Sequence, residues 1–311
     1  MKNDNYTITS GHLEVGNGHK IYYQQWGNEN AKPIFYLHGG PGGGCNDSNK
    51  KFFDPTKHHV IFHDQRGCGL STPNASIESN TTQKLIEDIE SLRQILDFKK
   101  IQIIGGSWGS ALAFAYSIAY PENVTRMLLW GIFAGTKSEV DYIQQGGLRT
   151  HFPEAWEQYI DAVPKNMQQD TVSFYYDKFV NGSDAEKTQY TKRWVCLESS
   201  ALSIDADFKE TLYSVDGSNE IIRAIALLEA HYFINNCFMP ENHIFNNLSD
   251  IAHIPTTLVQ GRFDHITPPE TAYKIAKQLG KNCHLHIVPG SHSREGAMRE
   301  TIKAYVWSTL G

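Results

Sequence analysis

The segment Gly-Gly-Ser-Trp-Gly at residues 105–109 constrains the fold more than any other part of this chain. An apolar run at residues 101–104 precedes it and predicts a buried strand, and residues 110–120 follow it with a helical pattern. A G-x-S-x-G segment between a strand and a helix holds its serine on a sharp turn. Glycine suits the two outer positions, because it lets the strand and the helix approach closely. The segment therefore predicts a strand–turn–helix unit of an α/β fold, with Ser107 as a candidate nucleophile.

Strand and helix patterns alternate through the first 130 residues and return after residue 250. Predicted strands lie at 21–26, 34–38, 59–64, 101–104, 127–130, 256–260 and 284–288. Predicted helices lie at 81–96, 110–120, 269–279 and from 296 onward, and between the two halves at 153–162, 188–203 and 220–233. Such alternation favours a mostly parallel sheet with helices on both faces. We predict a core of residues 1–132 and 251–311, interrupted by a helical lid of residues 133–250.

Charge and hydropathy exclude several classes of function. The chain has 34 acidic and 28 basic residues without a cluster of either sign, which argues against a nucleic-acid surface. Its apolar runs are far shorter than the roughly 20 residues of a membrane-spanning helix. The polar start of the chain and five widely spaced cysteines lead us to expect a cytoplasmic protein. The histidine pairs at 59 and 63 and at 284 and 286 lie in strand-like segments without an acidic partner, so we expect no metal site.

A serine nucleophile needs a base and an acid that orients the base, and in this strand–turn–helix context the chain order is serine, acid, histidine. Asp264 follows the predicted strand 256–260, and His292 follows the predicted strand 284–288. Both positions belong to the carboxyl edge of a parallel sheet, where active sites form. His265 is a rival base because it adjoins Asp264. We favour His292, which lies on a loop between a strand and a helix.

The glycine-rich segment His-Gly-Gly-Pro-Gly-Gly-Gly at 38–44 follows another predicted strand. Such a loop can turn backbone N–H groups toward a developing oxyanion. We predict the N–H groups of Gly40 and Trp108 as the two donors. A phosphate-binding loop is the alternative, but the segment lacks the Gly-Lys-Ser/Thr ending of that motif.

Taken together, these motifs resemble the proline iminopeptidase family of α/β hydrolases over nearly the whole chain. The shared segments are HGGPGGG at 38–44, DQRGCGLS at 64–71, GGSWGS at 105–110, GIF at 131–133, GRFD at 261–264 and GSHS at 290–293. Two lid segments extend the resemblance, Trp-x-x-x-Glu at 194–198 and Glu-x-His-Tyr-Phe at 229–233.

The resemblance implies an α/β-hydrolase fold with a helical lid and an exopeptidase that releases an N-terminal residue, preferentially proline, through an acyl-enzyme. It implies that Glu198 and Glu229 hold the free amino terminus and that Phe133 and Tyr232 contact the substrate. The partners would be small peptides with a free N-terminus. No cofactor is implied, and the oligomeric state stays open.

Two alternatives use the same fold. A carboxylic-ester hydrolase would apply the same triad to a neutral small molecule, whereas a binding module without activity would be expected to have lost part of the triad. Dehalogenases and epoxide hydrolases are disfavoured, because they need an aspartate at position 107. The chain departs from the family pattern at Trp130, Thr267 and Ser291, which can alter substrate preference. Asp64 and Arg66 are predicted to form an ion pair beneath the active site.

Overall fold

The structure is a computed structural model and describes residues 1–310. Within them, eight strands form one sheet in the order β1-β2-β4-β3-β5-β6-β7-β8. The strands are β1 Thr7–Glu14, β2 Lys20–Gly27, β3 Pro33–Leu37, β4 His59–His63, β5 Ile101–Ser107, β6 Val124–Ile132, β7 Thr256–Gly261 and β8 Cys283–Val288. β2 is antiparallel to both β1 and β4, and the pairings from β4 to β8 are parallel. The predicted mostly parallel sheet is confirmed.

Eleven α-helices accompany the sheet within the same residues. In chain order they are α1 Thr82–Ile95, α2 Trp108–Ala119, α3 Lys137–Gln144, α4 Pro153–Ile160, α5 Thr171–Asn181, α6 Asp184–Leu202, α7 Phe208–Ser214, α8 Glu220–Ile234, α9 His243–Ile251, α10 Pro269–Leu279 and α11 Gly296–Thr309. The seven helices α3–α9 all lie between β6 and β7. None of the eleven is long and apolar enough to cross a membrane.

Apolar side chains of the central strands point alternately to the two faces of the sheet, as a strand period of two requires. In β3, Phe35 and Leu37 belong to the core on one face, and Ile34 and Tyr36 to the core on the other. The buried faces of α1, α2 and α10 close the first core, and α11 closes the second. Helices therefore cover both faces, and the carboxyl edge of the parallel strands stays free to carry a site.

The helices between β6 and β7 contact the core through specific hydrogen bonds. The Tyr232 hydroxyl in α8 donates to Asn80 Oδ1 at 2.8 Å, and the Thr82 hydroxyl donates to the Cys237 carbonyl at 2.5 Å. The Ser293 N–H donates to the carbonyl of Leu202, the last residue of α6, at 2.8 Å. The last of these contacts joins α6 directly to the loop that carries His292.

The predicted ion pair between Asp64 and Arg66 is wrong. The Arg66 guanidinium instead pairs with Asp88 of α1, with Nε–Oδ2 and Nη2–Oδ1 distances of 2.7 and 2.8 Å. Asp64 accepts hydrogen bonds from the backbone N–H groups of Cys45 and Leu70, at 2.6 and 2.8 Å. Asp64 and Asp88 are both structural. Asp88 accepts hydrogen bonds from the Arg66 guanidinium, whereas Asp64 accepts them from backbone N–H groups.

Candidate active site

Ser107 ends β5 and immediately precedes α2. Its backbone has φ +56° and ψ −130°, an uncommon conformation for a residue with a side chain. A Cβ atom at Gly109 would lie 2.2 Å from the Leu37 carbonyl oxygen, so only glycine fits where α2 passes β3. The strained turn predicted from the sequence is therefore present, and it leaves Ser107 partly exposed at the carboxyl edge.

Asp264 and His292 meet at the same edge of the sheet. Asp264 Oδ2 lies 2.9 Å from His292 Nδ1, and the Asp264 side chain is fully buried. Because the carboxylate accepts a hydrogen bond, Nδ1 carries the ring proton and Nε2 is left as an acceptor. A Cβ atom at Gly131 would lie 2.9 Å from His292 Cε1, so the ring covers β6 beside the end of β5.

The loop after β8 therefore carries the His292 ring across to the end of β6, the strand beside β5, which ends at Ser107. The hydrogen bonds within residues 1–310 include none between Ser107 Oγ and His292 Nε2. In ligand-free hydrolases this bond often shortens only when substrate binds.

Asp264 is held by four donors besides His292. Oδ1 accepts the N–H groups of Ile266 and Thr267, at 3.0 and 2.8 Å. Oδ2 accepts Gln260 Nε2 at 3.0 Å and the Thr267 hydroxyl at 2.9 Å. These bonds stabilise the buried carboxylate in its charged form and fix its direction toward the imidazole. Thr267, which departs from the family pattern, thus contacts the predicted triad directly.

Two opposing influences act on His292. Burial lowers the pKa of the imidazole, but the adjacent Asp264 carboxylate outweighs burial, and Glu198 adds to the effect. The pKa of His292 is therefore raised above its usual value. A ring with this environment readily accepts a proton from a nearby hydroxyl group.

His265, the rival base, lies elsewhere. Its ring is 4.2 Å from that of His151 and 5.4 Å from that of Phe152, measured between centroids. Burial and the neighbouring His151 lower its pKa. The ring that contacts the Asp264 carboxylate is that of His292, which favours His292 as the base.

The glycine-rich loop lies against Ser107. A Cβ atom at Gly39 would be 3.3 Å from Ser107 Cβ, and Gly40 has a φ of +113°. Trp108 is the first residue of α2, so its N–H is among those a helix leaves without an internal partner. The segments that carry the two predicted oxyanion donors thus flank the candidate nucleophile, and donation by Gly40 and Trp108 stays a prediction.

Gln65 connects these two donor segments, and the sequence analysis did not identify it. Its side-chain amide donates to the His38 carbonyl at 3.0 Å and accepts the Trp108 indole N–H at 3.0 Å. Its backbone N–H donates to His38 Nε2 at 3.0 Å, so the His38 ring proton lies on Nδ1 and is donated to the Gly39 carbonyl at 2.8 Å. One buried glutamine therefore ties the glycine-rich loop to the turn after β5.

Glu198 of α6 and Glu229 of α8 face each other above this edge. Glu229 is only 4% exposed and accepts the Trp194 indole N–H at 2.8 Å, whereas Glu198 is half-buried. Burial, strengthened by the charge of Glu198, raises the pKa of Glu229 well above its usual range. Burial also raises the pKa of Glu198, and the nearby His292 partly opposes this rise. Both carboxyl groups therefore resist carrying a negative charge at the same time, and Glu229 resists it more strongly.

Phe133 and Tyr232 are both buried, at 4% and 1% exposed. The Phe133 ring packs edge-on against Phe233, with centroids 6.4 Å apart. The Tyr232 ring packs edge-on against Trp108 at 4.8 Å, and its hydroxyl is already bonded to Asn80. Tyr232 therefore supports the indole beside the candidate oxyanion donor, and substrate contact by either residue stays a prediction.

Trp130 and Ser291, the other two residues that depart from the family pattern, take no part in the hydrogen bonds between Asp264 and His292. Trp130 belongs to the core on the α11 face, where its ring stacks on Phe52 with centroids 6.4 Å apart. The Ser291 hydroxyl lies 3.1 Å from the Ser293 hydroxyl, within the loop that carries His292. Trp130 acts on the site only through packing, whereas Ser291 shapes the histidine loop.

A family model for the α/β-hydrolase fold matches residues 32–293, and the chain belongs to that family. A probable proline iminopeptidase of Leptolyngbya boryana is 38% identical over 285 residues, which cover 91% of this chain and 88% of that protein. A proline iminopeptidase of Arabidopsis thaliana is 39% identical over 272 residues, 86% of this chain and 71% of that protein. Within the α/β hydrolases, the chain is a member of the proline iminopeptidase family, as the motifs predicted.

Solved structures support the same fold. The proline iminopeptidase of Mycobacterium smegmatis superimposes with a TM-score of 0.60 at 18% identity, with 96% of each chain covered. An esterase of Exiguobacterium antarcticum gives a TM-score of 0.62 at 18% identity, covering 96% of this chain and 98% of that one. At these identities the likeness concerns the fold, and the reaction has to be argued from the site.

Proposed function

We propose that this protein is a serine exopeptidase that releases an N-terminal residue, preferentially proline, from peptides. The observation that carries the proposal is the pair formed by buried Glu229 and half-buried Glu198 near His292, beside the edge that holds Ser107 and Asp264. A triad alone would serve an esterase as well. Two carboxylates held close together away from water call for a cationic ligand, and a free peptide N-terminus is such a ligand.

In the proposed reaction, Ser107 Oγ attacks the carbonyl carbon of the first residue while His292 Nε2 takes the hydroxyl proton. The N–H groups of Gly40 and Trp108 stabilise the tetrahedral oxyanion. His292 then gives its proton to the nitrogen of the departing peptide, and the C–N bond breaks. Water, activated by His292, hydrolyses the acyl-enzyme and frees the amino acid. Asp264 orients the imidazole and stabilises its protonated form throughout.

Glu198 and Glu229 provide the selectivity for a chain end. An N-terminal prolyl group is a secondary ammonium with two N–H donors, one for each carboxylate. Its positive charge offsets the repulsion between the two carboxylates. An acetylated N-terminus brings neither the charge nor the donors, and it would cover both carboxylates without giving them a partner.

The helices α3–α9 correspond to the proposed lid, residues 133–250. They supply Glu198 and Glu229, and the contact of Leu202 with Ser293 anchors α6 beside His292. A lid in this place would admit a chain end and exclude the middle of a folded protein. We further propose a cytoplasmic location, since all five cysteines are free thiols.

The direct test of the function compares a prolyl amide with its N-acetylated counterpart. We expect turnover of the free prolyl amide and a kcat/KM at least about 10²-fold lower for the acetylated compound, because two buried carboxylates lose their partner. An alanyl amide measured beside them reports the preference for proline. Equal turnover of free and acetylated substrates would reject an aminopeptidase and favour the ester hydrolase.

The choice between His292 and His265 can be tested by alanine substitution of each. His292→Ala removes the group that activates Ser107, so we expect at least about a 10⁴-fold loss of kcat. His265→Ala removes only a packing partner of His151 and should keep activity within about tenfold of wild type. Circular dichroism and melting temperature control for folding. An inactive His265→Ala beside an active His292→Ala would reverse the assignment.

The charge of the glutamate pair should also appear in the pH profile. Glu198 helps to raise the pKa of His292, and the base must be unprotonated to act. We expect the acidic limb of kcat/KM to move to lower pH in the double variant Glu198→Gln/Glu229→Gln. A neutral ester is the substrate, because its binding does not need the pair. An unchanged limb, or one at higher pH, would contradict electrostatic contact between the pair and the base.

A further inference from the structure

A cleft of about 510 Å³ opens beside the loop that carries His292. We call it the basic cleft. One wall is formed by the segment between β3 and β4, with Ser48, Lys51 and Phe52. The other wall is formed by Ser293 and Arg294 and by the first turns of α11, with Arg299 and Lys303. The residues that directly follow the candidate base thus line this cleft.

The basic cleft is positive in a protein whose net charge is −6. Lys51, Arg294, Arg299 and Lys303 bring four cations to its walls, against the two carboxylates of Glu295 and Glu300. Among residues 1–310, none of these six side chains forms an ion pair. Grouped unpaired cations in a cleft concentrate an anionic ligand there.

Arg294 is held in place before any ligand arrives. Its guanidinium lies 5.3 Å from the Phe52 ring centroid and 5.7 Å from that of Trp130. It also donates to the Tyr36 hydroxyl. Burial raises the pKa of Tyr36 to about 12, so this phenol stays neutral and leaves the charge of Arg294 uncompensated. A fixed guanidinium loses little conformational freedom on binding an anion.

The position of the cleft follows from the chemistry of the leaving group. His292 protonates the departing nitrogen, so the released part of the peptide must begin beside the imidazole. Ser293 and Arg294 are the next two residues of the chain, and a peptide advances only about 3.3–3.6 Å per residue. The charge of Arg294 is near enough to His292 to oppose the rise in the pKa of the imidazole. The second to fourth residues of a substrate would therefore run toward the walls of the basic cleft. Glu198 and Glu229, by contrast, would bind the ammonium group of the first residue, on the other side of the cleaved bond.

We propose that the basic cleft binds a carboxylate on the departing fragment of the peptide and so makes short peptides the preferred substrates. This inference rests on the proposed exopeptidase function. The carboxylate is either the C-terminus of a di-, tri- or tetrapeptide or an acidic side chain near the cleaved bond. A substrate of this kind carries opposite charges at its ends, the ammonium toward the glutamate pair and the carboxylate toward the basic cleft.

Three tripeptide substrates separate the sources of the carboxylate. They are Pro-Gly-Gly with a free C-terminus, the same peptide as its C-terminal amide, and Pro-Gly-Glu as its C-terminal amide. In the wild type we expect kcat/KM for a carboxylate-bearing peptide to exceed that of the neutral amide by roughly tenfold, since exposed ion pairs each contribute modestly. A preference for the free C-terminus alone assigns the main-chain carboxylate. A preference for the glutamyl amide alone assigns the side chain.

The variant Lys51→Gln/Arg299→Gln/Lys303→Gln removes three cations and keeps Arg294, whose packing supports the histidine loop. We expect its preference for the carboxylate-bearing peptide to fall from roughly tenfold to about threefold, because Arg294 still binds the anion, while the neutral amide stays near the wild-type value. The matched control, Lys99→Gln/Lys100→Gln/Lys281→Gln, removes the same charge from exposed positions before β5 and β8, at the opposite edge of the sheet. It should keep the full preference.

Salt gives a second measurement of the same effect. The preference for the carboxylate should shrink as ionic strength rises, because exposed charges are screened over about 10 Å at 0.1 M salt. A wild type with no preference for either carboxylate would overturn the proposal, and so would equal losses on charged and neutral peptides in the cleft variant. Failure to cleave any of the three peptides would instead reject the exopeptidase function itself, and this inference with it.

Discussion

Ser107→Ala is expected to lose about 10⁶-fold in kcat on a prolyl amide while folding normally. The substitution removes the only atom that forms the covalent bond with the acyl group. It leaves the proposed oxyanion donors and the proposed amino-terminus site in place, so a small residual rate above the uncatalysed reaction should remain. The Ala side chain fits the turn, because it occupies less space than the serine that already adopts φ +56°.

A fluorophosphonate probe followed by mass spectrometry checks the same assignment independently of turnover. The wild type should be labelled on Ser107, and the Ser107→Ala variant should not be labelled. Ser91→Ala, at an exposed position of α1, serves as the control and should keep both labelling and activity. Labelling of a different serine, or a Ser107→Ala variant with near-normal turnover, would show that the nucleophile lies elsewhere.

The positions of Ser107, Asp264 and His292 were predictable because each follows a strand that the sequence defines clearly. Parallel strands end at one edge, so residues that come after β5, β7 and β8 meet there whatever their separation along the chain. The glycine-rich loop after β3 reached the same edge for the same reason. Their roles in the reaction remain for the experiments above to decide.

The residues that hold the triad and the glycine-rich loop in position could not be predicted from the sequence. Gln65 and Gln260 each connect segments far apart in sequence, and a buried glutamine looks the same in sequence as a surface one. Gln260, for example, accepts the Ile132 N–H at 2.8 Å and donates to Asp264. The partner of Arg66 could not be inferred either, since Asp88 lies on α1, and the nearer Asp64 was the obvious choice.

Local sequence pattern also failed to predict β1 and several of the helices between β6 and β7. β1 is an edge strand paired only with β2, and most of its side chains are exposed or half-buried, so it lacks the alternation that marks a strand. Helical patterns predicted α4, α6 and α8, whereas α3, α5, α7 and α9 showed no pattern clear enough to predict. The missed helices are 7 to 11 residues long, and such short helices depend on packing more than on their own sequence.

Glu198→Gln and Glu229→Gln should each lower kcat/KM for a prolyl amide by roughly 10²- to 10³-fold, because removing one partner of a buried charged set leaves the other uncompensated. At position 229 the loss has a specific cause. Glu229 already accepts the Trp194 indole N–H. A glutamine offers one acceptor oxygen for two donors, the indole and the substrate ammonium, and turns its NH₂ group toward one of them.

A small neutral ester distinguishes recognition of the amino terminus from support of the fold, because its hydrolysis needs only the triad and the oxyanion donors. We expect both variants to keep ester kcat/KM within about tenfold of wild type while losing the prolyl amide. Glu220→Gln, at an exposed position in the first turn of α8, is the matched control and should affect neither substrate. Equal losses on ester and amide would mean that the glutamates hold the lid together. Full activity of both variants on the prolyl amide would remove the reason to call this site an aminopeptidase, and the carboxylic-ester hydrolase would then be the better description.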